Sequence, residues 1–95
     1  MDSQVKGIWF GSGSGVAVPK PCLLDFFILA SGASGTVALY DGLDKTSGRK
    51  IAYLAGTSVQ QTIAVNFGGV WLTRGLYVEV IAGTPSYSVV YHFLD

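Results

Sequence analysis

At 95 residues the chain is the length of one small domain, a size that buries roughly 60–65% of its unfolded surface and leaves modest stability. Asp, Glu, Lys and Arg make up 13% of it, against a usual share of about 25%, and six acids balance six bases scattered singly. Without a basic stripe nothing holds a phosphate backbone, so the sequence excludes nucleic-acid binding. Hydrophobic residues reach 49%, and a domain this small has too little interior to hide them. The excess apolar area is expected to lie against another protein surface.

Thirteen glycines punctuate runs rich in Val, Ile, Leu, Tyr and Phe, and no Gly-free stretch of ten residues has helical apolar spacing. That is the pattern of short strands separated by turns. Residues 1–15 are expected to form an N-terminal arm or first strand with its loop, and residues 16–95 the β domain. Val5–Phe10 is the arm or strand, and Gly11-Ser12-Gly13-Ser14-Gly15 a flexible loop. Pro19 and Pro21 fix the approach to Cys22–Ser31. That run is apolar on both faces apart from Asp25, and so is expected to be a central strand covered on both sides. Gly35–Tyr40 follows, with Val37 and Leu39 on one face. The segment 41–50 collects Asp41, Asp44, Lys45, Arg49 and Lys50 and reads as a solvated tip.

Ile51–Ala55 and Val59–Phe67 are the next strands, and Gly68-Gly69 is expected to break the chain before Val70–Thr73. Gly75–Ala82 and Tyr87–Leu94 close the domain around a turn at Gly83-Thr84-Pro85. On the last strand His92 lies opposite the face of Val89, Tyr91 and Phe93. Seven or eight strands in this length fit a two-sheet antiparallel sandwich. A jelly-roll-like or other Greek-key connectivity is the first expectation, a small closed barrel the second.

The inventory for chemistry is thin. One histidine and one cysteine supply no zinc ligand set, and Cys22 lies in an apolar run that suits a buried, inert thiol. Gly11–Gly15 lacks the spacing of the dinucleotide fingerprint and the Lys-Ser/Thr of a P-loop, and it precedes no helical pattern. Asp41 and Asp44 could touch calcium, but that ion needs six to eight oxygens, and Lys45 stands beside them. Nothing like a nucleophile elbow singles out a serine. The chain therefore reads as non-enzymatic, without cofactor or metal. His92 reads as a satisfied structural or interface residue. Met1–Lys6 lacks the basic start and apolar core of a secretory signal. Cys22–Ala30 is far too short to span a membrane. The expectation is a protein made in the cytoplasm, not exported and not in a membrane. Trp9-Phe10, an aromatic pair beside a Gly/Ser loop, suits a neighbour's pocket. The candidate interface residues are Ile8, Trp9, Phe10, Trp71, Tyr77 and His92, with sugar binding by exposed Trp and Tyr as the rival reading.

Two segments carry a resemblance: Ala33-Ser34-Gly35-Thr36-Val37-Ala38-Leu39-Tyr40-Asp41-Gly42 and Gly75-Leu76-Tyr77-Val78-Glu79-Val80. A strand ending in LYDG, a polar loop, an IA-L strand and a later GLYV resemble small virion proteins of tailed bacteriophages. Those proteins carry a GGTP-like turn where this chain has Ala82-Gly83-Thr84-Pro85. The likeness covers roughly residues 23–91. It implies a sandwich-fold structural protein of the virion, such as a capsid decoration (cement) protein clamping neighbouring subunits as a homotrimer. Its partners would be copies of itself and the major capsid protein or another virion protein. A small tail, neck or fibre component with a binding domain, carbohydrate-recognising or not, is the alternative.

Overall fold

The computed structural model describes residues 5–31, 35–55, 61–83 and 85–93, with the backbone alone at 5–10, 12, 31 and 61. Val59, Thr84 and Leu94, named in the expected elements, lie outside the described residues. Eight strands account for the ordered backbone: β1 Val5–Ser12, β2 Gly15–Val18, β3 Cys22–Ser31, β4 Thr36–Asp41, β5 Arg49–Ala55, β6 Gln61–Leu72, β7 Leu76–Ala82 and β8 Ser86–Phe93. They form two four-stranded sheets of order β1-β8-β3-β6 and β2-β7-β4-β5, and every pairing is antiparallel. This is the jelly roll, with β4–β5 the one pairing between consecutive strands.

Alternation along each strand builds the core. Leu24, Phe27 and Leu29 of β3, Val37 and Leu39 of β4, Leu76 and Val78 of β7 and Val89 of β8 are fully buried between the sheets. Phe27 stacks on Tyr87 at 5.5 Å between ring centroids, the offset geometry aromatic pairs favour.

Two expectations are corrected and one open alternative is decided. The glycine-serine run is a connection of only two residues, Gly13-Ser14, because Gly11 and Ser12 complete β1 and Gly15 opens β2. The Tyr87 hydroxyl donates to the Gly13 carbonyl at 2.6 Å and Ser14 Oγ accepts from Val80 N–H at 2.8 Å, so the corner is tied to both sheets. Of the two alternatives for the segment carrying Ile8, Trp9 and Phe10, arm or first strand, the structure has the strand: β1 pairs with β8 along its whole length, from Val5↔Phe93 to Ser12↔Ser86. Gly68-Gly69 does not end a strand. Both glycines take positive φ, 68° and 81°, and absorb a bulge inside the continuous β6.

Candidate protein-docking face

Cys22–Ser31 has neighbours on both edges, β8 and β6, but only one of its faces is covered. Leu24, Phe27 and Leu29 point inward, while the alternate residues Leu23, Phe26 and Ile28 look out from the sandwich. Phe26 remains 39% exposed. The register brings Trp71 opposite Leu23 and Val90 opposite Phe26, and directly opposed residues share a face. Trp71 is 49% exposed, so the outer side of this sheet is an apolar surface floored by β3, β6 and β8. The only Asp, Glu, Lys or Arg in those three strands is Asp25, and the only histidine is His92. The twofold pattern of β3, apolar on both faces, signalled burial on both sides. Here it belongs to a strand whose second face meets solvent.

Asp25 and His92 sit in the floor of that surface. The register between β3 and its neighbours shifts between Leu24 and Phe26, which makes Asp25 the bulged residue, opposite the Gly68-Gly69 bulge of β6. Its Oδ2 lies 2.8 Å from His92 Nδ1, and both residues are 9% exposed. A bulge re-aims one side chain, and here it turns a carboxylate toward an imidazole that it satisfies. His92 is therefore a buried structural residue and not a contact group.

Tyr77 belongs to the other sheet, on the outer face of β2-β7-β4-β5. It meets Tyr40 edge-on at 6.2 Å. The Tyr40 hydroxyl donates to Glu79 Oε1 at 2.9 Å, and Lys45 Nζ donates to Glu79 Oε2 at 3.0 Å. These contacts, the Lys45 ammonium first, hold the Glu79 carboxyl below the usual range, and the same carboxylate raises the Tyr40 phenol. Lys50 lies over Tyr40 and Tyr53 at 5.8 and 6.0 Å, and Tyr53 is 60% exposed. This face is aromatic and charged where the other is apolar.

The six sequence candidates thus do not form one patch. Trp71 stands on the apolar face. Positions 8 and 10 of β1 are in register with Val90 and Ser88 at the same face's margin, and position 9 with core-facing Val89. The side chains of Ile8, Trp9 and Phe10 lie outside the described residues. Tyr77 is on the opposite sheet, and His92 is buried. Phe26, Leu23, Ile28 and Val90 are the surface residues that strand reading missed. The alternation marked them as one face of β3 and β8, but it cannot say which of two apolar faces is covered.

Asp41 is occupied by the fold. Its Oδ2 accepts from Thr73 N–H and the Thr73 hydroxyl, each at 3.1 Å, and its Oδ1 from Arg74 N–H at 3.0 Å. Asp44 accepts from Ser47 N–H and its hydroxyl at 2.7 and 2.9 Å, contacts that favour its charged form and hold its pKa below the ordinary carboxylate value. Among the described residues no three His, Cys, Asp or Glu gather as metal ligands, and no helix is long and apolar enough to cross a membrane. Cys22 is buried in the core, and desolvation, with Asp41 and Asp25 adding to it, pushes its thiol up to about 11. It is the opposite of an activated nucleophile. Comparison with protein families and with curated proteins finds no match to this chain.

Proposed function

We propose that this is a non-enzymatic structural protein of a tailed-bacteriophage virion, a capsid decoration protein that packs against the major capsid protein. Jelly rolls serve viral coats and lectins alike, and topology by itself does not choose between them. What supports the reading is the outer face of the β1-β8-β3-β6 sheet, where Phe26 and Trp71 stand 39% and 49% exposed on β3 and β6, two strands whose one charged residue, Asp25, is buried with His92. A face of that kind suits a dry protein contact, because aromatic anchors at an uncharged centre carry most binding energy. Grouping in threes on the particle, with copies clamping adjacent capsid subunits, belongs to the same reading, as does location in the virion. Neither nucleic acid nor membrane is a partner in it.

The test is cosedimentation of the purified chain with capsids of the source phage. Wild type is expected to pellet with them. Phe26→Lys combined with Trp71→Lys is expected to bind at least about tenfold more weakly, since each buried aromatic contributes roughly 1.5–3 kcal/mol, with its melting temperature little changed. Wild type that stays in the supernatant, or a variant that binds equally well, defeats the proposal. A second reading rests on the other sheet. Exposed Tyr53 and half-buried Tyr77, with Lys50 and Glu79 beside them, offer an aromatic and hydrogen-bonding surface, the chemistry of a glycan platform in a fibre or tail component. Glycan-array binding abolished by Tyr53→Ala would favour it over capsid decoration.

A further inference from the structure

The two sheets have four edges: β1 and β6 in one, β2 and β5 in the other. An edge strand offers unpaired N–H and C=O groups to any passing chain, and proteins blunt such edges with charge, proline, brevity or bulges. β2 has four residues and runs into Pro19 and Pro21. β5 opens with Arg49 and Lys50 and is irregular in its pairing. β1 carries Lys6. β6 is twelve residues long, with no charge and no proline. Its glycine bulge bends it only beyond Phe67, so residues 61–67 remain a regular strand. Along them Thr62, Ala64 and Asn66 are exposed, while Ile63, Val65 and Phe67 reach the core only half-buried. β3 covers one flank of these three, and the other flank lies at the edge.

We propose that residues 61–67 of β6 pair antiparallel with the same segment of a second copy, joining two four-stranded sheets into one of eight. A twofold axis at Ala64 sets the register. Ala64 then faces Ala64 of the second copy and Thr62 faces its Asn66 on the outer side. Ile63 faces Val65 on the core side, so like meets like at the centre, and Gln61 faces Phe67 at the two ends. A shift by one residue would oppose inner and outer positions. Self-pairing matches the segment in length and, because it carries no charge, brings no like charges together. The contact uses the sheet's edge and leaves the Phe26–Trp71 face open. It therefore stands for the isolated protein whether or not that protein decorates a capsid.

Analytical ultracentrifugation of the full chain and disulfide trapping test it together. Wild type is expected to be a dimer at micromolar concentration, and Ala64→Lys, which sets two ammonium groups opposite each other, to weaken it about fivefold or more. Lysine is tolerated on exposed edges. Thr62→Lys serves as the second variant if circular dichroism shows that Ala64→Lys is unfolded. Ala64→Cys is expected to form a covalent dimer on mild oxidation, because opposed Cα atoms fall within disulfide range and the buried Cys22 does not compete. A wild-type monomer or trimer overturns the proposal. So does a dimer indifferent to both lysines, an Ala64→Cys dimer that does not cross-link, or Thr46→Cys cross-linking as readily.

Discussion

Tyr87 performs two jobs with one side chain. Its ring stacks on Phe27 in the core, and its hydroxyl secures the β1–β2 corner through the Gly13 carbonyl. Burial pushes the phenol up to about 12 from 10. A neutral acid held above its ordinary value stabilises the fold fully below pH 10, and that contribution is lost as pH climbs from there toward 12. Tyr87→Phe keeps the ring and removes the donor. Urea melts at neutral pH are expected to show a loss of about 1 kcal/mol, and the variant's stability should fall less steeply than wild type between pH 10 and 12. Asp25 is a different case, since its partner is buried as well. Asp25→Ala strands the His92 Nδ1 in the sheet floor, and the expected cost in the same melts is about 1–3 kcal/mol. Asp25→Asn, which still offers an oxygen, should cost less. The sequence allowed His92 to be a satisfied structural residue but gave no sign of its partner, since Asp25 was only the lone polar residue of an apolar run. The bulge that brings them together has no marker on β3 itself.

At the scale of elements, the segments Thr36–Asp41 and Leu76–Val80 turn out to be neighbours. Leu39 pairs with Val78, Tyr40 with Tyr77 and Asp41 with Leu76 across β4 and β7. Gly42 N–H donates to the Gly75 carbonyl at 3.2 Å, and Asp41 gathers the donors of the Thr73-Arg74 turn. These residues fasten one end of the sandwich. Gly75 has φ 141°, and a Cβ there would press into the Val18 carbonyl oxygen. Gly75→Ala is therefore expected to destabilise by about 1–3 kcal/mol, measured by thermal unfolding, whereas a glycine-to-alanine change at an ordinary turn would be close to neutral. Within this fold the two segments form scaffold. β4, β7 and β8 were legible within a residue or two from their alternation, and β3 from its unbroken apolar run. β2 was not, since Gly15-Val16-Ala17-Val18 is four residues between a glycine-serine run and a proline, too short for periodicity to register. β6 read as two strands because a glycine pair signals a break as well as a bulge, and only the partner strand distinguishes them.

On the scale of the whole molecule, the low charge and high apolar share derive from an arrangement with two unlike outer surfaces, one apolar and one lined with tyrosine, lysine and glutamate. Composition announced the surplus of apolar area, but placing it required the fold, since β3 alone could not reveal which of its faces was open. The strand order has a further consequence, for how the chain reaches this state. Every pairing but β4–β5 joins strands distant in sequence, and β1 has no hydrogen-bonding neighbour except β8. Contacts so remote in the chain make folding slow, and refolding after a denaturant jump is expected to take milliseconds to seconds. Relaxation in microseconds, followed by tryptophan fluorescence, would contradict it. During synthesis the first strand waits at the ribosome until the eighth has emerged. β3, the most apolar stretch of all, waits beside it for β6 on one flank and β8 on the other. The rate of translation therefore sets how long the chain's stickiest segment is open to misassociation, and the hazard is greatest where many copies are made at once.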